Sequence, residues 1–259
     1  MPTAFYQADG DRLLATALTR GPWHRDLQHG GPPAALLARA IEAAPSDVPR
    51  SLARVTVELM RPIPIGPVTV EVEPPVGGRQ VDRVEARLRV GDAVVAKATG
   101  LRIRAATVVM PARAPDVAAL APGPEGVAPF VFPFFAEPIG YQAAVELRLV
   151  RGTWGDGPVA AWIRPTVPLV EGEPTSPACA VMIVADAANG IRPVLPIDRY
   201  TFVNADLTVA LARQPVGPWI GLDVDATAGD AGAGLVRAAI HDQRGLCGQA
   251  AQALVVAAR

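Results

Sequence analysis

Cysteine is nearly absent: Cys179 and Cys247 stand far apart in small, apolar surroundings, which excludes a disulfide framework or a cysteine-based metal site and fits a reducing compartment. Histidines number three, and neither His24 nor His241 has the spacing of a metal partner to His29, so no metal centre is expected. Lysine occurs once, as Lys97, every other basic residue being arginine, a compositional bias rather than a functional sign. Neither charge sign is in excess, since the formal net charge is −1, and this removes any general pull toward nucleic acid or an anionic membrane. Long hydrophobic runs are missing as well. None approaches the ~20 residues that span a bilayer, and Met1–Asp9 shows no basic or apolar region of a secretory signal. The 50% hydrophobic content is therefore assigned to a core, and the expected address is the cytoplasm.

What is present begins with Gln28-His29-Gly30-Gly31-Pro32-Pro33, followed by the almost uncharged run Ala34–Ala44 that stops at Pro45. Two glycines allow close backbone approach, and two prolines suit a first helical turn, whose N–H groups have no partner in the helix. With only Arg39 and Glu42 charged, most of this helix must be covered, and a sheet curled around it is the natural cover. Its N-terminus, with free amides beside glycines, can hold a developing negative charge on a ligand oxygen.

Alternation then takes over. Val55, Val57 and Leu59 oppose Thr56 and Glu58; Val68, Val70 and Val72 oppose Thr69 and Glu71; Val84, Ala86 and Leu88 oppose Glu85 and Arg87; a fourth strand runs from about Val94 to Arg104. Residues 1–110 thus read as one helix and four antiparallel strands. Residues 111–135 are rich in Pro and Ala and read as a linker. In residues 136–259 the order recurs: after strands at Gln142–Arg151 and Val159–Arg164 come a helix over Ser176–Ala188 and strands near Ala205–Arg213, Trp219–Ala226, Gly234–His241 and Cys247–Val256. Val55–Pro62 aligns with Leu207–Gln214, placing Arg61 on Arg213, and the turns Gly91-Asp92 and Arg244-Gly245 correspond. A period of this length indicates tandem duplication of a domain rather than a solenoid.

With these features the chain resembles the double hot-dog acyl-CoA thioesterases of the thioesterase II type. The resemblance rests on His29-Gly30-Gly31 opening an Ala/Leu helix, Asn204-Ala205-Asp206-Leu207-Thr208-Val209 with Arg213 beyond it, Thr227 eight residues after Trp219, and Gln252 in the last strand. It implies an α+β tandem hot-dog fold, a continuous antiparallel sheet wrapped around two central helices. It also implies an Asp, a Thr and a Gln of the second repeat that hold the hydrolytic water, here Asp206, Thr227 and Gln252. Alternation puts Gln249 and Gln252 on opposite faces, so at most one lies in the site. In the first repeat Arg54 and Thr99 take the places of Asp206 and Gln252, which leaves one site per chain built from both repeats.

The chemistry is coherent. Asp206 would accept the proton of water, Thr227 and Gln252 would orient it, and Gly30 or Gly31 N–H would hold the oxyanion while His29 shapes the entrance. The leaving thiol, with a pKa near ~8.5 by analogy with cysteine, departs readily. Each residue type also has a structural use: aspartates begin strands, threonines are β-formers, glutamines bond across sheet faces, and a histidine at a helix entrance packs. The implied substrate is an acyl-CoA, with no cofactor beyond the CoA of the substrate itself. Alternatives are an enoyl-CoA hydratase, disfavoured because no Asp-x4-His pair follows a strand, and a catalytically weak acyl-CoA or acyl-carrier binding protein. A homodimer is expected, because unpaired outer strands on a large sheet invite association. Trp23, just before the helix entrance, is a candidate to line an acyl tunnel.

Overall fold

The computed structural model describes residues 2–109 and 120–259, so part of the expected linker, residues 111–119, lies outside the described residues. The first repeat contains β1 (Tyr6–Asp9), β2 (Arg12–Ala15), α1 (Gly31–Ala43), β3 (Arg50–Leu59), β4 (Pro67–Val72), β5 (Val76–Gly77), β6 (Val81–Val90) and β7 (Ala93–Arg104). The second contains β8 (Val145–Thr153), β9 (Asp156–Pro165), α2 (Pro177–Ala185), α3 (Ala188–Ile191), β10 (Tyr200–Asn204), β11 (Asp206–Leu211), β12 (Ile220–Ala228), β13 (Ala233–Asp242) and β14 (Gly245–Ala258). The unit of duplication is therefore a hairpin, a helix and four long strands, the first of which lies beside the last. The first hairpin escapes periodicity because its strands have four residues each; its marker is the turn at Gly10, whose φ of 65° is open to glycine.

All strands belong to one fourteen-stranded sheet whose main path runs β1-β2-β4-β6-β7-β3-β11-β14-β13-β12-β9-β8. Matching repeat elements makes this order a palindrome, and the two repeats join where β3 and β11 pair antiparallel, Val55 opposite Val209 and Val57 opposite Leu207. Those four valine and leucine side chains are buried under the helices, so the seam is part of the core. The end strands are not bare. Tyr6 of β1 exchanges backbone bonds with Leu169 and Glu171, and Leu147 of β8 accepts from Phe130 N–H, so the bare-edge reasoning for a homodimer does not hold at these stretches.

α1 and α2 pack on each other and on the sheet's inner face. Ala34–Ala38 and Ile41 of α1 and all but Pro177 and Ala180 of α2 are buried, as the lack of charge in both segments requires. Ser176 caps α2, its hydroxyl accepting from Cys179 N–H at 3.1 Å. The α1 C-terminus is closed by Arg102, which donates to the carbonyls of Ile41, Ala44 and Pro45 while paired with the buried Asp82. α2 stops at Ala185, three residues before the expected end, and the chain turns at Asp186-Ala187 before α3. Arg213, aligned with Arg61 in sequence, pairs with the buried Asp242. Burial alone would raise the Asp242 pKa, but Arg213 and the N–H groups of Val216 and Arg244 outweigh it and hold it at about 2.

The helices meet most closely at α1's first residue. A Cβ on Gly31 would stand 2.4 Å from the Ile183 carbonyl oxygen of α2, a backbone atom held in its own helix. Gly31→Ala is therefore expected to push the helices apart and cost about 1–3 kcal/mol, a fall in Tm of about 2–10 °C for a chain of this size. A thermal melt by circular dichroism checks it, and an unchanged Tm would show that the helices meet without this constraint.

Candidate active site

A cavity of about 430 Å³ opens where the α1 entrance, the end of β3, the turn after α2 and β10 converge. Both repeats contribute: His29, Gly30 and Ile63 from the first, Asp186, Asn189, Phe202 and Asn204 from the second, with Phe132, Phe134 and Phe135 from the connecting segment. A second cavity, between Leu52, Val55, Met182 and Val209, is about 10 Å³. Apolar side chains make most of the wall, and His29, Asp186, Asn189 and Asn204 form one polar corner of it.

The corner is centred on Asp186, only 3% exposed. Asn204 Nδ2 donates to its Oδ1 at 2.7 Å, and Asn204 Oδ1 accepts from Asn189 Nδ2 at 2.7 Å. The Asp186 Oδ2 lies 2.9 Å from His29 Nδ1. The His29 ring lies flat on Tyr141, centroids 3.8 Å apart and planes at 4°. The Tyr141 hydroxyl donates to Ile183 O at 2.9 Å; burial first and the Asp186 charge second raise its pKa well above the usual value, so it stays a donor. Neither cysteine is a candidate nucleophile, because burial pushes Cys179 up to about 12 and Cys247 up to about 11.

Gly30 is what admits the carboxylate. Its Cβ, if present, would sit 2.8 Å from both Asp186 carboxylate oxygens, so the backbone itself touches the acid. Gly30 is the N-cap of α1 and faces the cavity, whereas Gly31 N–H is turned to His29 Nδ1 at 3.2 Å. Of the two glycine amides considered from sequence, that of Gly31 is thus engaged by His29.

The remaining expected site residues divide. Gln252 is 1% exposed on the inner face and its Nε2 donates to the carbonyls of Ala185 and Asp186 at 3.2 and 3.1 Å, so it fixes the turn that presents the acid from behind the cavity wall. Its Oε1 is buried without a protein partner. Gln249 is exposed on the other face, as alternation demands. Thr227 is not brought to the site. Ala226 shares the row of Val236 and Gln252, so Thr227, one residue on, points out to solvent.

Asp206 is not brought there either, and a β-bulge is the reason. Asn204 pairs with Leu254 and Thr208 with Ala251, which leaves one residue too many between them. Ala205 and Asp206 both fall opposite Ala253: Ala205 N–H donates to Ala253 O at 2.9 Å, and Ala253 N–H, displaced from the ladder, donates to Asp206 Oδ1 at 2.6 Å. The bulge sends Asn204 inward and Asp206 outward. In the first repeat, likewise, Thr99 faces out and Gly100 faces α1, where a Cβ would already meet Ile41 at 2.3 Å; no counterpart of Gln252 fits.

Comparison with known proteins agrees with this architecture. Residues 19–103 match the acyl-CoA thioesterase N-terminal domain and residues 112–256 the acyl-CoA thioesterase C-terminal domain. The chain belongs to the acyl-CoA thioesterase family. Among solved structures, a hot-dog-fold protein of unknown function from Alicyclobacillus acidocaldarius superposes with a TM-score of 0.72 at 20% identity, over 98% of this chain and 96% of that one. The tesB protein of Mycobacterium avium subs paratuberculosis gives 0.66 at 18% identity over 98% and 96%, and the acyl-CoA thioesterase II TesB2 of Mycobacterium marinum gives 0.67 at 15% over 97% and 94%. At these identities the neighbours establish the hot-dog fold. No significant match is found among curated protein sequences.

Within this thioesterase scaffold Asp186, Asn189 and Asn204 carry no motif spacing of their own. The available signals were an aspartate at the end of an apolar helix and two asparagines on segments that fold back against it. The bulge makes a test. Asp206→Ala removes only the acceptor for Ala253 N–H, so it is expected to cost about 1 kcal/mol, a few °C in Tm, while thiol release from acyl-CoA stays at the wild-type level. Loss of thiol release without loss of stability would return Asp206 to the reaction.

Proposed function

We propose that the protein hydrolyses acyl-CoA thioesters to the free acid and CoA, with Asp186 as the general base that activates water. The observation that carries this is the buried Asp186 carboxylate, lining an apolar cavity beside a helix N-terminus and clamped by Asn204 and His29. Buried carboxylates need hydrogen-bond partners, and these contacts keep the acid aimed. Its remaining lone pairs accept the proton of a water bound between it and the thioester carbon.

The thioester oxygen, as it becomes an oxyanion, lies on Gly30 N–H at the positive end of α1, where burial strengthens the interaction. Collapse of the tetrahedral intermediate expels the CoA thiolate, whose low basicity (a thiol pKa of about 8.5) removes the need for a strong acid. His29 belongs to the same corner and helps hold water or carbonyl. Gln252 acts through the backbone of Asp186 as a positioning residue. Fatty and related acyl-CoAs fit the apolar wall.

Asp186→Asn keeps the shape and hydrogen bonds but removes the basic oxygen. Turnover, followed as thiol release with a thiol-reactive chromophore, is expected to fall by about 10²–10⁴-fold while acyl-CoA binding persists. Unchanged turnover would remove Asp186 from the mechanism. Hydration of crotonyl-CoA by the wild type, without thiol release from any acyl-CoA, would replace hydrolysis by the hydratase reading.

A further inference from the structure

Aromatic side chains are scarce in this chain, 5% of residues, yet they are concentrated at one place. Of six phenylalanines, Phe132, Phe134, Phe135 and Phe202 line the cavity, and Trp23 joins them. Phe130 packs edge-on to Phe132 at 6.3 Å, and Trp154 stacks on Phe134 at 6.0 Å and 19°. Phe5 lies elsewhere, as do the buried Tyr6, Tyr141, Trp162 and Trp219, so it is the phenylalanines in particular that gather at the cavity.

This wall is rigid. Trp154 Nε1 donates to Gly190 O at 2.8 Å, which fixes the indole, and Phe134 presses on Gly190 so closely that a Cβ there would be 3.1 Å from its Cζ. Phe132, Phe134 and Phe135 pack on one another with centroids 5.4–5.9 Å apart. Trp23 meets Phe202 edge-to-face at 5.6 Å. Flat, interlocked rings present π faces and ring edges in fixed positions, and a preorganised surface favours the ligand whose shape it already matches. A flexible alkyl chain gains contact area there, but none of the ring-to-ring geometry.

The wall also lies close to the reacting atoms. Gly190, against which Phe134 and Trp154 are set, follows Asp186 by four residues, and Ala187, Asn189 and Gly190 line the same cavity as the acid. A ligand in this one cavity of about 430 Å³ meets both the rings and the acid, so a ring bound there has to be joined to the thioester carbon by a link that stays within it. Resting on the hydrolase reading above, we infer that the acyl group this site selects carries an aromatic ring one or two carbons from the thioester, an arylalkanoyl-CoA, in preference to a straight saturated chain.

Two measurements test this. For the wild type, kcat/KM for thiol release from phenylacetyl-CoA and 3-phenylpropanoyl-CoA is compared with hexanoyl-, octanoyl- and dodecanoyl-CoA. The aryl esters are expected to lead by about tenfold, the factor that one or two aromatic pairs supply, and Phe134→Leu is expected to narrow that lead to about threefold or less. Independently of turnover, affinities of non-hydrolysable S-(2-phenylethyl)-CoA and S-hexyl-CoA thioethers are measured by calorimetry on the wild type, with the aryl thioether expected to bind tighter. Straight-chain esters that match or exceed the aryl esters, with rate rising along the chain series, overturn the inference and leave the hydrolase reading standing. Absence of thiol release from every ester, with the aryl thioether still preferred, overturns the hydrolase reading and supports the aromatic site; equal binding of the two thioethers overturns the aromatic site.

Discussion

The space between α1 and α2 is set by two hydrogen atoms. Gly30 touches the Asp186 carboxylate and Gly31 touches the Ile183 carbonyl, and at neither position is there room for a methyl group. Everything polar in the cavity depends on that contact. It brings the N-terminus of one central helix to the C-terminal turn of the other, so that an amide end, an imidazole and a carboxylate share one corner. The cost of burying the carboxylate is offset by Asn204 and His29, and the turn that carries it is held by Gln252 through its backbone oxygen. A helix pair with ordinary side chains at this crossing would stand farther apart and hold neither the acid nor the amide in place.

The second constraint is a single extra residue. The bulge at Ala205 shifts the alternation of the strand, so the same six-residue stretch gives the site its Asn204 and gives the outer face its Asp206. Asp206 is then the acceptor that satisfies the N–H the bulge leaves unpaired. The first repeat uses the equivalent end of its helix differently: Arg102 and Asp82 fill the C-terminus of α1, and Gly100 lies where Gln252 lies in the second repeat. Duplication supplied the scaffold twice, and the cavity was built once, across both copies.

Much of the architecture was legible because it rests on periodicity. Val55 and Val57 alternate with polar residues and Val84 and Ala86 with charges, Ala34–Ile41 carries Arg39 as its single charge, and the same order returns in the second half, so the paired repeats and both central helices followed from the sequence. The His29-Gly30 entrance was legible as the start of an apolar helix, while Gln252, singled out through the resemblance as a holder of water, instead bonds the backbone of Ala185 and Asp186 behind the cavity wall. Asp186 was not, because it falls inside the apolar run read as a helix to Ala188, and Asn204 stood just before the strand expected near Ala205–Arg213, whereas it ends β10 ahead of the bulge. Bulges and helix breaks are decided by which face packs in three dimensions, and a linear pattern carries no direct mark of them. The aromatic segment Phe130–Phe135 was likewise hidden in what reads as proline-rich linker, although its rings pack over the cavity.

The central claim is that the thioester meets Asp186 at the helix crossing, and one measurement reaches it directly: a crystal structure of the Asp186→Asn variant with an intact acyl-CoA bound. The account predicts the thioester carbonyl oxygen at Gly30 N–H, its carbon within one water of the substituted side chain, and the acyl group among Phe132, Phe134 and Phe202. A thioester bound on the outer face beside Asp206, or in the cavity with its carbonyl turned away from His29 and Gly30, would contradict it.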